Sequence, residues 1–208
     1  MSAVGILGGT FNPPHLGHLI MAQEALVQLG LDRVVLMPVS APPHKQLLAA
    51  DEPGAQARLA LCRLAVEGDE RLGVSDLEVC RGGSSFTVDT LRELHERDPE
   101  HELTFIVGGD IAHRLPGWRE PEAVLSLARL AVAEREGIRR DDLMGHLRGL
   151  RGAERLAFFD MPRVDLSSSG IRERVAAGRP IRYLVPGAVE AEIASRGYYR
   201  ATVGGTAR

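Results

Sequence analysis

Short apolar runs of strand length alternate along this chain with segments whose apolar residues recur at helical spacing. The runs are Val4 to Leu7, Val34 to Met37, Leu103 to Val107, Leu130 to Ala133 and Leu156 to Phe159, with a weaker sixth from Leu72 to Val79. Continuous runs of this length suit strands buried on both faces. Between them, Leu19, Ala22, Leu26 and Leu29 mark one helical face that ends at Gly30. Ala57, Leu61, Leu64 and Ala65 mark a second after Pro53, and Val88, Leu91, Leu94 and His95 a third that stops before Asp98-Pro99. Strand and helix in strict turn predict an α/β fold, a single Rossmann-like, doubly wound parallel sheet with helices on both faces. Ligands of such sheets bind beyond the carboxyl ends of the strands, so chemistry is to be sought just after each apolar run.

A chain of 208 residues buries roughly 70% of its surface on folding, enough for one core without staples. We expect one domain over residues 1–201 and a frayed tail at 202–208. Cys62 and Cys80, with no CxxC spacing, exclude a disulfide framework or a zinc module and point to a reducing compartment. Residues 1–23 contain no Asp, Glu, Lys or Arg, yet two prolines and four glycines within them exclude a membrane span or signal segment. The expected location is the cytoplasm, with no membrane partner. A net charge of −3 argues against a nucleic-acid partner, which usually calls for a basic face. Of the 25 basic residues 24 are Arg, and Lys45 is the one lysine.

The first apolar run leads directly into Gly8-Gly9-Thr10-Phe11-Asn12-Pro13-Pro14-His15-Leu16-Gly17-His18, which then opens the first helix. Glycines permit close backbone approach, and a helix start supplies N–H groups and partial positive charge, a setting for phosphate. Neither GxxxxGK[ST] nor GxGxxG is present, which removes the main support for P-loop ATPases and nicotinamide-dependent oxidoreductases. His15 and His18 stand three apart and share one side of the first helical turn. Such a pair suits capping or packing as well as phosphate binding; the glycine between them and the preceding strand favour phosphate.

His15-Leu16-Gly17-His18 resembles the HxGH signature of the nucleotidyltransferase superfamily, shared with class I aminoacyl-tRNA synthetases and cytidylyltransferases. The opening from Gly8 to His15 is similar to that of bacterial nicotinate mononucleotide adenylyltransferases. Further segments follow in that family's order: Pro38 to Lys45, resembling P-x-x-x-P-P-H-[KR]; Arg81 to Leu91, resembling R-x-G-x-S-Y-T-x-D-T-L; Gly108-Gly109-Asp110 with Leu115 and Trp118; and Ser167-Ser168-Ser169-Gly170-Ile171-Arg172 with Ile181 to Pro186. The chain departs from the pattern at Phe86 for Tyr, Ser169 for Thr, Gly109 for another small residue and Glu136 for Pro.

The resemblance implies transfer of AMP from ATP to nicotinate mononucleotide, yielding the deamido dinucleotide and pyrophosphate, in NAD biosynthesis. It assigns His15, His18 and Arg172 to catalysis, and Gly8, Gly9, Thr10, Phe11, Gly17, Gly108, Asp110, Ser167, Ser168 and Ser169 to ATP. His44, Lys45, Ser85, Thr87, Trp118 and Arg135 fall to the second substrate. Asp110 also suits a helix N-cap, Trp118 plain loop packing, and the serine run a flexible linker. The helical spacing from Ile171 to Ala177, with Gly178 to cap it, favours a phosphate-facing helix start over the linker. Mg²⁺ is the expected cofactor, held mainly by ATP phosphates with no dedicated protein ligands, and a homo-oligomer is compatible with the chain. Related expectations are the same transfer to nicotinamide mononucleotide or phosphopantetheine, and a non-catalytic nucleotide-binding regulator. A class I synthetase is disfavoured, since one lysine cannot form a KMSKS-like segment.

Overall fold

The computed structural model describes residues 2–41, 53–134 and 140–200. β1 (Ser2–Gly9) leads through α1 (Leu16–Gln28) to β2 (Arg33–Pro38), and α2 (Ala55–Ala65) leads to β3 (Leu72–Val74). Two helices, α3 (Leu77–Arg81) and α4 (Thr87–Arg97), precede β4 (His101–Gly108). Then come α5 (Gly109–Ala112), α6 (Pro121–Leu127), β5 (Arg129–Glu134), α7 (Arg140–Leu147), β6 (Ala157–Asp160), α8 (Ser168–Ala176) and α9 (Gly187–Arg196).

The strands form one sheet in the order β3-β2-β1-β4-β5-β6, and every pairing is parallel. The chain winds outward from β1 to β3, then crosses back to lay β4 on the other side of β1. That reversal opens a crevice above the carboxyl ends of β1 and β4. Leu7 pairs with both Leu36 and Ile106, so Gly8-Gly9 and Gly108 end the two strands at one level.

The period-2 alternation of the strands supplies two cores. Val4, Ile6, Leu103, Phe105 and Val107 pack with Leu91 of α4, Val124 of α6 and Leu143 of α7, whereas Leu7, Leu36, Ile106 and Ala131 pack with Met21, Ala22 and Ala25 of α1. A third cluster joins Leu61 and Ala65 of α2 to Ile171 of α8, Val189 and Ile193 of α9, and Tyr199. Gly30 and Gly178 take positive φ just past their helices, as expected of C-terminal caps.

Three expectations are corrected. The strand expected from Leu72 to Val79 stops at Val74, because after Ser75 N–H makes the last bond to Leu36 the Ser75 hydroxyl accepts from Leu77 N–H and starts α3. The inward face of α1 centres on Met21, Ala22 and Ala25, the two alanines small enough to bring the helix close to the sheet, while Leu19, Leu26 and Leu29 are only half-buried. His95 is exposed, and Thr90 of α4 is buried instead.

Candidate active site

Two aromatic rings dictate the bare backbone where β1 ends. A Cβ on Gly8 would lie 3.0 Å from the ring of Phe105, and one on Gly9 would lie 3.1 Å from the ring of Phe11. Phe11 itself adopts φ +47° and is 2% exposed, so its side chain braces the loop from beneath and its backbone is what it can offer a nucleotide.

His15 is the N-cap of α1 and His18 its third residue, and each side chain serves the other's backbone in a capping box. The His15 N–H donates to Nδ1 of His18 at 3.2 Å, and the two rings stack with centroids 3.7 Å apart. In that bond Nδ1 of His18 is the acceptor, which fixes the plane of its ring against the first turn of α1. The edge of Phe11 holds the His18 ring at 4.9 Å. Gly17 completes the motif: a Cβ there would meet the His15 ring at 3.1 Å. The capping alternative raised by the spacing is thus realised, and it orients both imidazoles.

The loop is held by its carbonyls. Gly9 O accepts from Val39 N–H at 3.0 Å, Thr10 O from Arg58 at 2.7 Å, Asn12 O from Arg172 at 2.9 Å and Pro13 O from the Ser168 hydroxyl at 2.9 Å. Leu16 N–H closes the set by donating to Leu184 O at 3.0 Å. The serine run is an ordered helix start: Ser167 caps α8 through a 3.1 Å bond from Gly170 N–H, and Arg172 Nη2 donates to the Ser169 hydroxyl. Arg172 therefore joins the loop that leads into α1 to the start of α8, with one guanidinium nitrogen on each. Segments 155 residues apart meet where two phosphate-favouring N-termini converge.

At the end of β4, Asp110 lies in the first turn of α5 and Gly108 is its cap, so Asp110 is not the N-cap. Its carboxylate folds over Gly108, with Oδ1 2.9 Å from where a Cβ would stand. Trp118 is half-buried against Phe105, edge to face at 6.1 Å, and so reaches the same strand ends from the other core. Its neighbours Arg119 and Glu120 pair with Asp89 and Arg92 of α4. Arg119 also lies 5.0 Å over the Phe86 ring, a contact that needs no phenolic hydroxyl.

Ser85 ties the start of α4 to the segment after β2. Its hydroxyl is buried and accepts from Ser40 N–H at 3.2 Å, while Ser85 N–H donates to Ala41 O at 3.1 Å. Thr87 begins α4 and stays partly exposed. His44, Lys45, Arg135 and Glu136 lie outside the described residues, as does the tail 202–208.

The family described as cytidylyltransferase-like matches residues 6–174. A Desulfitobacterium hafniense (strain Y51) protein named "Probable nicotinate-nucleotide adenylyltransferase" is 42% identical over 202 residues, 95% of each chain. A Synechococcus sp. (strain JA-3-3Ab) protein of the same name is 44% identical over 189 residues, 90% of this chain and 89% of that one. The chain belongs to the nicotinate-nucleotide adenylyltransferase family. Its fold likewise matches the Plasmodium falciparum nicotinic acid mononucleotide adenylyltransferase complexed with NaAD, at a TM-score of 0.78 and 16% identity over 96% of this chain and 98% of that one. Among the described residues no helix is long and apolar enough to cross a membrane.

Family motifs do not exhaust the candidate site of this adenylyltransferase. Arg58, on α2, is wholly buried and reaches Thr10 O, Val39 O and Ser40 O at 2.7 to 2.9 Å. The signal was an arginine three, four and seven residues before Leu61, Cys62 and Ala65, squarely on the buried stripe of α2. Asn12 and Tyr199 share a buried 2.7 Å bond that no local pattern announces. Glu78 of α3 is also buried; burial raises its carboxyl pKa above the usual range, although bonds from Thr90 and Ser85 and the charge of Arg81 oppose the rise. Burial also pushes the Cys62 thiol up to about 12, so it stays protonated and inert.

Proposed function

We propose that this adenylyltransferase joins the 5′-phosphate of nicotinate mononucleotide to the AMP of ATP, with the loop after β1 and the start of α8 holding the triphosphate. The observation that carries the assignment is the meeting of those two segments, where Arg172 spans Asn12 O and the Ser169 hydroxyl and the HxGH imidazoles stack beside them.

A phosphate monoester with its second pKa near about 6 is mostly dianionic at neutral pH, so the nucleophile needs no general base. Its oxygen attacks the α-phosphorus, the bond from that phosphorus to the oxygen bridging to the β-phosphorus breaks, and pyrophosphate leaves with the electron pair. The remaining task is to align two anions and receive the charge that moves onto the leaving group. His18 is the donor for the transferring phosphate, His15 supports it, and Arg172 is the fork for the leaving oxygens. Trp118 supplies an aromatic face for the pyridine ring, and Thr87 with the start of α4 faces its carboxylate.

Among the described residues no group of three or more His, Cys, Asp or Glu side chains can hold a metal ion. The donors at the two helix starts are imidazoles, hydroxyls and a guanidinium, a set that matches phosphate oxygens. Mg²⁺ carried on those oxygens fits this arrangement, with the Asp110 carboxylate available through water, and when bound it offsets charge on the leaving pyrophosphate. We place this activity in the cytoplasm, on soluble metabolites.

The test is pyrophosphate release from ATP and Mg²⁺ with nicotinate mononucleotide, nicotinamide mononucleotide and phosphopantetheine as acceptors. A kcat/KM highest for the nicotinate acceptor supports the reading. Preference for the amide or for phosphopantetheine overturns the substrate, and no release with any acceptor overturns the activity.

A further inference from the structure

Among the described residues Arg58 is the arginine with no exposed surface at all. Taking a guanidinium out of water is costly, and a chain that does so must return hydrogen bonds to nearly every donor. Here the bonds go to main-chain carbonyls of two separate loops. Nη1 donates to Thr10 O at 2.7 Å, in the loop that follows β1, and Nη2 donates to Val39 O at 2.8 Å and Ser40 O at 2.9 Å, in the segment that follows β2. The planar fork keeps its two terminal nitrogens at one separation, so the carbonyls it grips are held at one separation too.

The base of the fork is rigid as well. Leu61 and Ala65, one and two turns further along α2, are packed against Ile171, Val189 and Ile193. The far arm is braced from its other side, where the Ser85 hydroxyl accepts from Ser40 N–H and Ala41 bridges to Ser84. The near arm is the loop whose other carbonyls are gripped by Val39, Arg172 and Ser168. Arg58 is thus the side chain that contacts both the loop that carries the histidine motif and the start of the Pro-rich segment.

We propose that Arg58 is a positioning residue for adenylyl transfer: it sets the separation of the β1 loop and the segment after β2, and through them the alignment of the ATP α-phosphorus with the acceptor phosphate. This rests on the assignment of ATP to the first loop and of the acceptor to the second segment. Alignment of this kind acts on turnover more than on affinity, since a displacement of about 1 Å can cost on the order of a hundredfold in rate while each substrate still finds its own contacts. Lysine carries the same charge on a flexible stem but presents one point of donation where the two loops need two.

The experiment compares Arg58→Lys and Arg58→Met with the parent chain. Circular dichroism and thermal melting report folding, calorimetry with ATP and with nicotinate mononucleotide separately reports affinity, pyrophosphate release reports kcat, and hydrogen exchange reports the segments around Thr10 and around Val39 to Ala41. The expected result is a folded Lys variant that binds each substrate within about threefold of the parent, turns over on the order of a hundredfold more slowly, and exchanges faster in both segments together. The Met variant is expected to show at least the same loss of turnover wherever it folds. A kcat retained within about threefold overturns the proposal, as does an affinity loss that matches the loss in kcat, faster exchange in one segment alone, or failure of both variants to fold. If the parent chain itself releases no pyrophosphate, the functional reading fails instead, and the exchange data still decide whether Arg58 ties the two segments.

Discussion

The Tyr199 hydroxyl donates to the side-chain oxygen of Asn12 at 2.7 Å, and both residues are about 3% exposed. Tyr199→Phe removes that donor from a buried acceptor, which costs about 1–2 kcal/mol of unfolding free energy in urea titrations. Because Asn12 O also receives Arg172, the same change is expected to raise KM for ATP more than KM for the acceptor. Equal KM values before and after would separate the bond from the nucleotide site.

His18→Ala is expected to lower turnover by about a hundredfold or more, with a smaller change in ATP affinity, as for loss of a transition-state donor. It also removes the acceptor for the His15 N–H, at a cost of about 0.5–2 kcal/mol in helix capping. His18→Asn separates the two roles, because an amide oxygen can accept the capping bond. Its melting temperature should return toward that of the parent while its turnover stays low.

Gly17→Ala places a methyl 3.1 Å from the His15 ring, and Gly108→Ala places one 2.9 Å from the Asp110 carboxylate. Neither glycine has a positive φ, so the expected effects are on the site and not on backbone strain. Gly17→Ala should lower kcat by tilting the stacked rings. Gly108→Ala should leave stability nearly unchanged, since a flexible carboxylate can swing away, and should raise the ATP dissociation constant by calorimetry if Asp110 meets the nucleotide.

Glu78 gives a pH signature of defined sign. Its carboxyl pKa is raised in the folded chain, first by burial, so the folded state holds the proton at pH values where the unfolded chain has released it. Stability from this group is fully present below the unfolded value of about 4.3 and is lost as pH rises through the higher folded value. Urea unfolding of the parent and of Glu78→Gln between pH 4 and 7 should show the parent losing stability relative to the variant as pH rises. A difference that is flat in pH would contradict the assignment.

Trp118 meets Phe105 by an edge and leaves part of its ring exposed. Trp118→Ala is expected to raise KM for the pyridine mononucleotide by about tenfold, with the ATP value little changed, in line with roughly 0.5–1.5 kcal/mol for an aromatic pair beyond area burial. As the one tryptophan of the chain, its fluorescence should also respond to that substrate and not to ATP. An unchanged KM removes it from the pocket.

The strand–helix alternation was legible because strands buried on both faces must be continuously apolar, and the candidate site was sought where such runs end. The histidine and serine motifs were legible because helix starts need particular residues at particular spacings. Arg58 was not, since one arginine among 24 carries no local mark until the stripe of α2 is known to face inward. The structural contacts of Ser85 were hidden for a related reason: a hydroxyl before a helix suits a ligand and a neighbouring N–H equally, and only the fold brings Ser40 beside it. The early end of β3 depended on whether the Ser75 hydroxyl would take Leu77 N–H, a choice of one hydrogen bond.

Besides Val39 and Arg58, the first loop is tethered by Ser168, Arg172, Leu184 and Tyr199, 155 to 187 positions downstream for the first and last of these four. During translation the loop leaves the ribosome while these partners are still unmade. A nascent chain can build β1 to β3 and bond the carbonyls of Gly9 and Thr10, yet those of Asn12 and Pro13 wait for residues not yet synthesised. The loop therefore gains its full set of tethers only once residues 168–199 have folded against it.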